Sequence, residues 1–124
     1  MRGLEKGKRV ALLISECQLG VIGAEYSNFP TLVEQVEKRG ILPKIATLAE
    51  AFRKAGHEVV HLHVAHDANY AGLPVTNVIL GMSVKSGAML KGSADVESVD
   101  AVKPLDTDIV PVSYTHLRAH ETRP

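Results

Sequence analysis

Residues Lys8 to Gly23, KRVALLISECQLGVIG, constrain the fold more than any other stretch of the chain. A basic flank leads into five apolar residues, Val10 to Ile14. Ser15, Glu16, Cys17, Gln18 and a loop punctuated by Gly20 and Gly23 follow. A short continuous apolar run bounded by turn signals predicts a strand buried on both faces, as in a parallel sheet. Open α/β sheets place their sites in the crevice outside the carboxyl ends of such strands. Glu16 and Gln18 occupy that place.

Composition narrows the function classes. At 124 residues the expectation is one domain with a core of modest size. Basic and acidic residues balance at 14 each, so the chain has no field to attract nucleic acid or an anionic membrane. The lone Cys17 excludes an internal disulfide framework and fits a reducing compartment. The N-terminus is basic and then apolar, but its apolar run falls short of the roughly 7–15 residues of a secretory signal. No run reaches the ~18 residues of a membrane span. The expectation is a soluble cytoplasmic protein.

In chain order, strand one is expected over about Arg9 to Ser15, and Leu19 to Pro30 as a loop long enough to form a pocket rim. Thr31 with Glu34 has the spacing of a capping box, and Leu32, Val33 and Val36 give the helix an apolar stripe. After Gly40 a second helix starts near Leu42–Pro43. Its buried face is expected at Ile45, Leu48, Ala49 and Phe52, and Gly56 stops it. Strand two is Glu58 to Val64. Strand, helix and strand in this order point to a right-handed βαβ unit. A loop to Val75 and a short helix capped by Thr76 come next. Ser86 to Val102 is weakly patterned, and Lys103 to Val110 leads into a third parallel strand. The expected fold class is a three-layer α/β/α Rossmann-like parallel sheet, truncated after about this third strand.

Glu16 is the leading candidate for chemistry. A carboxylate just past a buried strand acts as a general base or orients a nucleophile; the alternative is an acid that caps the next turn or pairs with a cation. Cys17, beside Glu16 on an apolar strand end, has none of the cationic surroundings that activate a thiol and reads as a small core residue. His61, His63, His66 and Asp67 cluster around the end of strand two, with His61 and His63 on one face. Their spacing matches no ligand signature, so the expectation is no metal. Gly20 and Gly23 form no phosphate-binding fingerprint.

The last residues break the pattern. Val112 to Thr122, VSYTHLRAHET, resembles the conceptual translation of a transposase adapter used in preparing sequencing libraries. Residues 111–124 are therefore expected to be a non-native, disordered tail. His116, Arg118, His120 and Glu121 then carry no functional information, and residues 1–110 are expected to be the N-terminal portion of a longer domain.

RVALLISECQLGVIG resembles the opening strand of the isochorismatase-like cysteine hydrolases, which run apolar residues, Asp, an apolar residue and Gln. Glu16 falls on the acid, Cys17 on the apolar residue and Gln18 on the glutamine. The resemblance continues through ILPKIATLAEAFRKAGHEVVHLHV and through LKGSADVESVDAVKPLDTDIV, with its Pro-x-x-x-Asp lead at Pro104 and Asp108. It implies hydrolysis of a small amide or related bond. In the family an acid on strand one takes the proton of a cysteine that opens a later helix, beside a lysine or arginine after strand three. The thiolate attacks the carbonyl, and water resolves the thioacyl intermediate.

Here Glu stands where Asp is commoner, and the basic residue and nucleophile have no counterpart up to Val110. Some vinyl-ether-cleaving members work without the cysteine. Metal-bearing members use Asp-x-His after strand two, which HVAHDANY lacks. The resemblance thus implies Glu16 as catalytic acid/base, Gln18 in substrate binding, no cofactor and an inactive truncated chain. Relatives often self-associate, so a homo-oligomer stays open. The alternative is a non-catalytic binding or oligomerisation module on the same fold, motivated by the Glu at the acid position.

Overall fold

A computed structural model of the protein describes residues 8–111; the expected tail from Val112 onward lies outside the described residues. Strand β1 (Ala11–Ser15) is followed by one helical turn, α1 (Leu19–Ile22), and by helices α2 (Pro30–Lys38) and α3 (Ile41–Lys54). Strand β2 (Glu58–Leu62) and helix α4 (Val78–Ser86) complete the regular elements, with 3₁₀ turns at Ala68–Tyr70, Ala94–Val96 and Asp100–Val102. The α/β class is observed.

β1 and β2 pair in parallel, in register Leu12 with Val59 and Ile14 with His61. The expected third strand is a single parallel bridge on the far edge of β2. There Ile109 donates to Val59 O and accepts from His61 N–H, both at 2.9 Å. Pro111, two residues on, has no N–H with which to extend this ladder.

Local sequence explains the helices. α2 begins one residue before the expected cap: Phe29 is the N-cap and Pro30 the first helical residue. The fixed φ and missing N–H of proline suit that position, so Thr31 sits within the first turn. Gly40, at φ +59°, separates α2 from α3, a left-handed turn that glycine makes without steric cost. α3 places Ile45, Ala49 and Phe52 against Ile14 and Val59, the centre of the core. Leu48 lies on the flank of that stripe and is 46% exposed, contrary to its expected burial. Asn77, not Thr76, caps α4, its Oδ1 accepting from Leu80 N–H at 3.0 Å.

β1 is not buried on both faces among the described residues. Leu12 and Ile14 pack on the α3 side, whereas Ala11, Leu13 and Ser15 are exposed. No helix among the described residues is long and apolar enough to cross a membrane.

Candidate functional site

The chain leaves β1 through a sharp turn. Glu16 N–H still donates to Leu62 O at 2.8 Å, in line with the β1–β2 ladder. Its own backbone is left-handed at φ +57°, a conformation that costs a non-glycine residue about 1–2 kcal/mol. The turn breaks the strand's alternation and leaves the Glu16 side chain exposed at the edge of a cleft of about 380 Å³. Val64 and His66, just past β2, form the adjoining wall. Phe29 and Leu32 from the start of α2 and Ile79, Leu80 and Ser83 from α4 close the sides, and Met89 joins them. The cleft thus lies outside the carboxyl ends of both strands, where open α/β sheets bind ligands.

Gln18 sits below the cleft, fully buried. Its Nε2 donates to Val64 O and Val96 O, and its Oε1 accepts from Val64 N–H, all at 2.8 Å. Both amide hydrogens are therefore used inside the fold, tying the end of β1 to the end of β2 and to the Ala94–Val96 turn. Backbone bonds from Leu19 N–H to Glu97 O and from Val99 N–H to Cys17 O extend the same tie. Cys17 packs against the core cluster, and burial, aided by neighbouring Glu16, pushes its thiol pKa up. Gly20 explains itself by proximity: a Cβ there would collide with Met89 Sδ and come to 3.0 Å from Asp95 O.

The histidines are dispersed rather than gathered. Buried His61 lies 2.9 Å through Nε2 from Asp108 Oδ2. His63 Nε2 lies 2.8 Å from Ser98 Oγ, and burial, followed by the neighbouring His61, lowers its pKa. His66 alone of the three faces the cleft; it is 3% exposed, and burial lowers its pKa as well. Its Nδ1 is sealed from solvent with no hydrogen-bond partner among the described residues. Asp67 pairs with Lys91 at 2.6 Å. Among the described residues, no three His, Cys, Asp or Glu side chains come together as a metal site would require.

One polar cluster escaped the sequence reading. Asp108, its side chain 1% exposed, accepts from Arg53 of α3 at 2.8 and 2.6 Å and from Leu105 N–H at 3.0 Å, and it meets His61 of β2. The bidentate Arg53 guanidinium, chiefly, holds the Asp108 carboxyl well below the usual carboxylate range. No local sequence signal relates Asp108 to Arg53 and His61, which lie 55 and 47 residues away. The cluster locks the third-strand lead onto β2 and α3, away from the cleft.

No family model matches the chain, and no curated protein does. Solved structures do. The chain resembles an isochorismatase family protein from Desulfovibrio vulgaris subsp. vulgaris str. Hildenborough, at 26% identity and TM-score 0.61, over 85% of this chain and 52% of that one. It also resembles N-carbamoylsarcosine amidase from Thermoplasma acidophilum, at 21% identity and TM-score 0.55, over 83% of this chain and 50% of that one. The chain therefore spans about half the length of these structures. The first of these is an isochorismatase family protein, and the Rossmann-type α/β reading of the fold agrees with both.

Proposed function

We propose that the chain is the N-terminal part of an isochorismatase-like hydrolase, and that the longer protein cleaves a small amide or related C–N bond with Glu16 as general base. The observation that carries this reading is the place of the Glu16 carboxylate, presented by a left-handed turn at the edge of a cleft formed by both strand ends. The half-length match to isochorismatase-family structures supports it.

In this mechanism Glu16 accepts the proton of a cysteine thiol, and the thiolate attacks the amide carbonyl. The amine leaves with a proton, and water then hydrolyses the thioacyl intermediate to regenerate the thiol. Cys17 is not that nucleophile: core packing and the Glu16 charge both disfavour its thiolate. The nucleophile and its basic neighbour belong to the other half of the site, so the 124-residue chain is inactive alone. Gln18 serves substrate binding by clamping Val64, a wall residue, through two hydrogen bonds. The substrate is a small molecule, with no cofactor required.

The test starts by resequencing the source locus across the codon for Val110. The reading expects a frame that continues into a Lys or Arg and later a Cys. The longer protein should then hydrolyse a member of a small-amide panel that includes N-carbamoylsarcosine. Glu16→Gln should lower kcat/KM by about 10²–10⁴-fold, the usual contribution of a general base. A frame without those residues, or turnover indifferent to Glu16→Gln, overturns the reading and favours a binding module.

A further inference from the structure

Resting on the hydrolase reading, we propose that His66 is a substrate-contacting residue, its Nε2–H donating a hydrogen bond to a carbonyl oxygen of the ligand in the cleft. The polar groups of residue 66 can be followed one by one. Its backbone N–H donates to Met89 O at 2.7 Å, and its carbonyl accepts from Lys91 N–H at 2.9 Å. Nδ1 is sealed from solvent with no hydrogen-bond partner among the described residues. Nε2 is therefore the polar atom that His66 has left for the cleft it lines. Nδ1 is already closed off, so a group arriving from the other half of the site does not reach it.

The sealed nitrogen decides where the proton sits. Burial lowers the pKa of His66 against the pull of neighbouring Asp67, so the ring carries one proton at neutral pH. A proton on Nδ1 would be a buried donor without an acceptor, and an orphaned N–H is rarer in folded proteins than an under-used lone pair. The proton therefore sits on Nε2, and the ring offers the cleft a donor. The ring is also held in place. It packs 5.3 Å from the ring of Tyr70, whose hydroxyl donates to Ala88 O at 2.6 Å. Tyr70, Met89 and Glu16 all hold left-handed backbones, at φ of +54°, +59° and +57°, and such strain collects at binding sites. A fixed donor in a largely apolar wall selects a ligand that brings an acceptor oxygen to it.

The experiment uses the 124-residue chain with ¹⁵N-labelled histidine. A long-range ¹H–¹⁵N correlation at neutral pH should show His66 protonated at Nε2, the signal being assigned by its loss in His66→Gln. Cyclohexanone and methylenecyclohexane, which differ by an oxygen in place of a methylene group, are then titrated separately. The ketone should move the His66 Nε2 signal. His66→Phe should weaken ketone binding about 5–10-fold and leave the hydrocarbon within about twofold, the coupling expected of one hydrogen bond. His66→Gln, whose amide nitrogen lies as many bonds from Cα as Nε2 does, should restore ketone binding. A packing role predicts the reverse order, with Phe tolerated better than Gln. An Nδ1–H tautomer, a Phe variant that binds the ketone as the unchanged chain does, or no binding of the ketone overturns the proposal. The two readings fail separately. Ketone recognition through His66 without hydrolysis by the longer protein sinks the hydrolase reading alone, whereas Glu16-dependent turnover with a KM unmoved by His66→Phe sinks the role of His66 alone.

Discussion

Leu13 and Ile14 are neighbours of nearly equal size and hydrophobicity, yet Leu13 is 59% exposed and Ile14 only 4%. They mark the two faces of the β1–β2 sheet. On the α3 side, Ile14 and Val59 pack against Ala49, and the Arg53–Asp108–His61 cluster pins the third-strand lead to the same face. On the other side Leu13 and Leu62 stand open, with Leu62 37% exposed. Parallel sheets in α/β proteins are covered on both faces. The open face therefore has the chemistry of a buried layer without the layer, and the packed face carries the stability of the described residues.

The most disruptive change to the packed face is Asp108→Ala. It removes the acceptor for Arg53, Leu105 N–H and His61 together and leaves two cation-capable groups facing a void. Breaking a buried pair costs about 3–5 kcal/mol, and the loss here should be about 4 kcal/mol in urea denaturation. A loss below ~1 kcal/mol would mean that the cluster does not hold the sheet edge. Next comes Ile14→Ala, which opens a cavity between the sheet and Ala49 and should cost ~3 kcal/mol by the same measurement.

Acidification sharpens the contrast through groups on or beside the packed side. Asp108 titrates below the usual carboxylate range when folded. Its stabilisation is therefore complete above the unfolded value, near 3.8, and drains as pH falls through it. His63 and His66 have folded pKa values below the ordinary 6.5, so the unfolded chain takes up their protons first. Their contribution is present above about pH 6.5 and declines below it. Stability measured from pH 7 to 3 should fall in two stages, by ~1 kcal/mol in the acid stage. Asp108→Ala should flatten the acid stage and leave the histidine stage in place.

Much of the frame was legible because it rests on local rules. The apolar run ending at an acid located β1 and Glu16, and the spacing of Ile45, Ala49 and Phe52 located the packed stripe of α3. Gly40 marked the boundary between α2 and α3 by its own backbone freedom, whereas Pro30, read as the end of the loop, opens α2. Three features lay beyond such rules. A carboxylate carries no sign of the left-handed backbone that aims it, so the turn at Glu16 was invisible. Asp108 joins Arg53 and His61 across separations of 55 and 47 residues, which no local window relates. The exposure of Leu13 depends on what lies over the sheet, and the side chain itself is the same apolar residue in either case. The dispersal of the histidines follows from their spacing and from the end of β2 at Leu62: His61 and His63 are two residues apart, whereas His66 stands an odd number of residues from both, past the end of the strand.

The smallest effect tests the open face directly. Leu13→Ala in the 124-residue chain removes a side chain already 59% exposed, so the transfer term is small and no cavity forms. The change should stay within ~0.5 kcal/mol, against ~3 for Ile14→Ala one residue away. Leu13→Lys should be equally mild and should reduce the binding of a hydrophobic dye such as ANS, since it breaks the apolar patch shared with Leu62. In a longer protein whose added chain covers this face, both changes must behave differently. Leu13→Ala should then cost about 2–3 kcal/mol and Leu13→Lys more, because the ammonium would be buried without a partner. Equal, small effects in both lengths would mean that the second face stays open. A large effect of Leu13→Ala in the 124-residue chain would mean that the face is already covered by residues outside 8–111 or by another copy, a choice that sedimentation at several concentrations would decide.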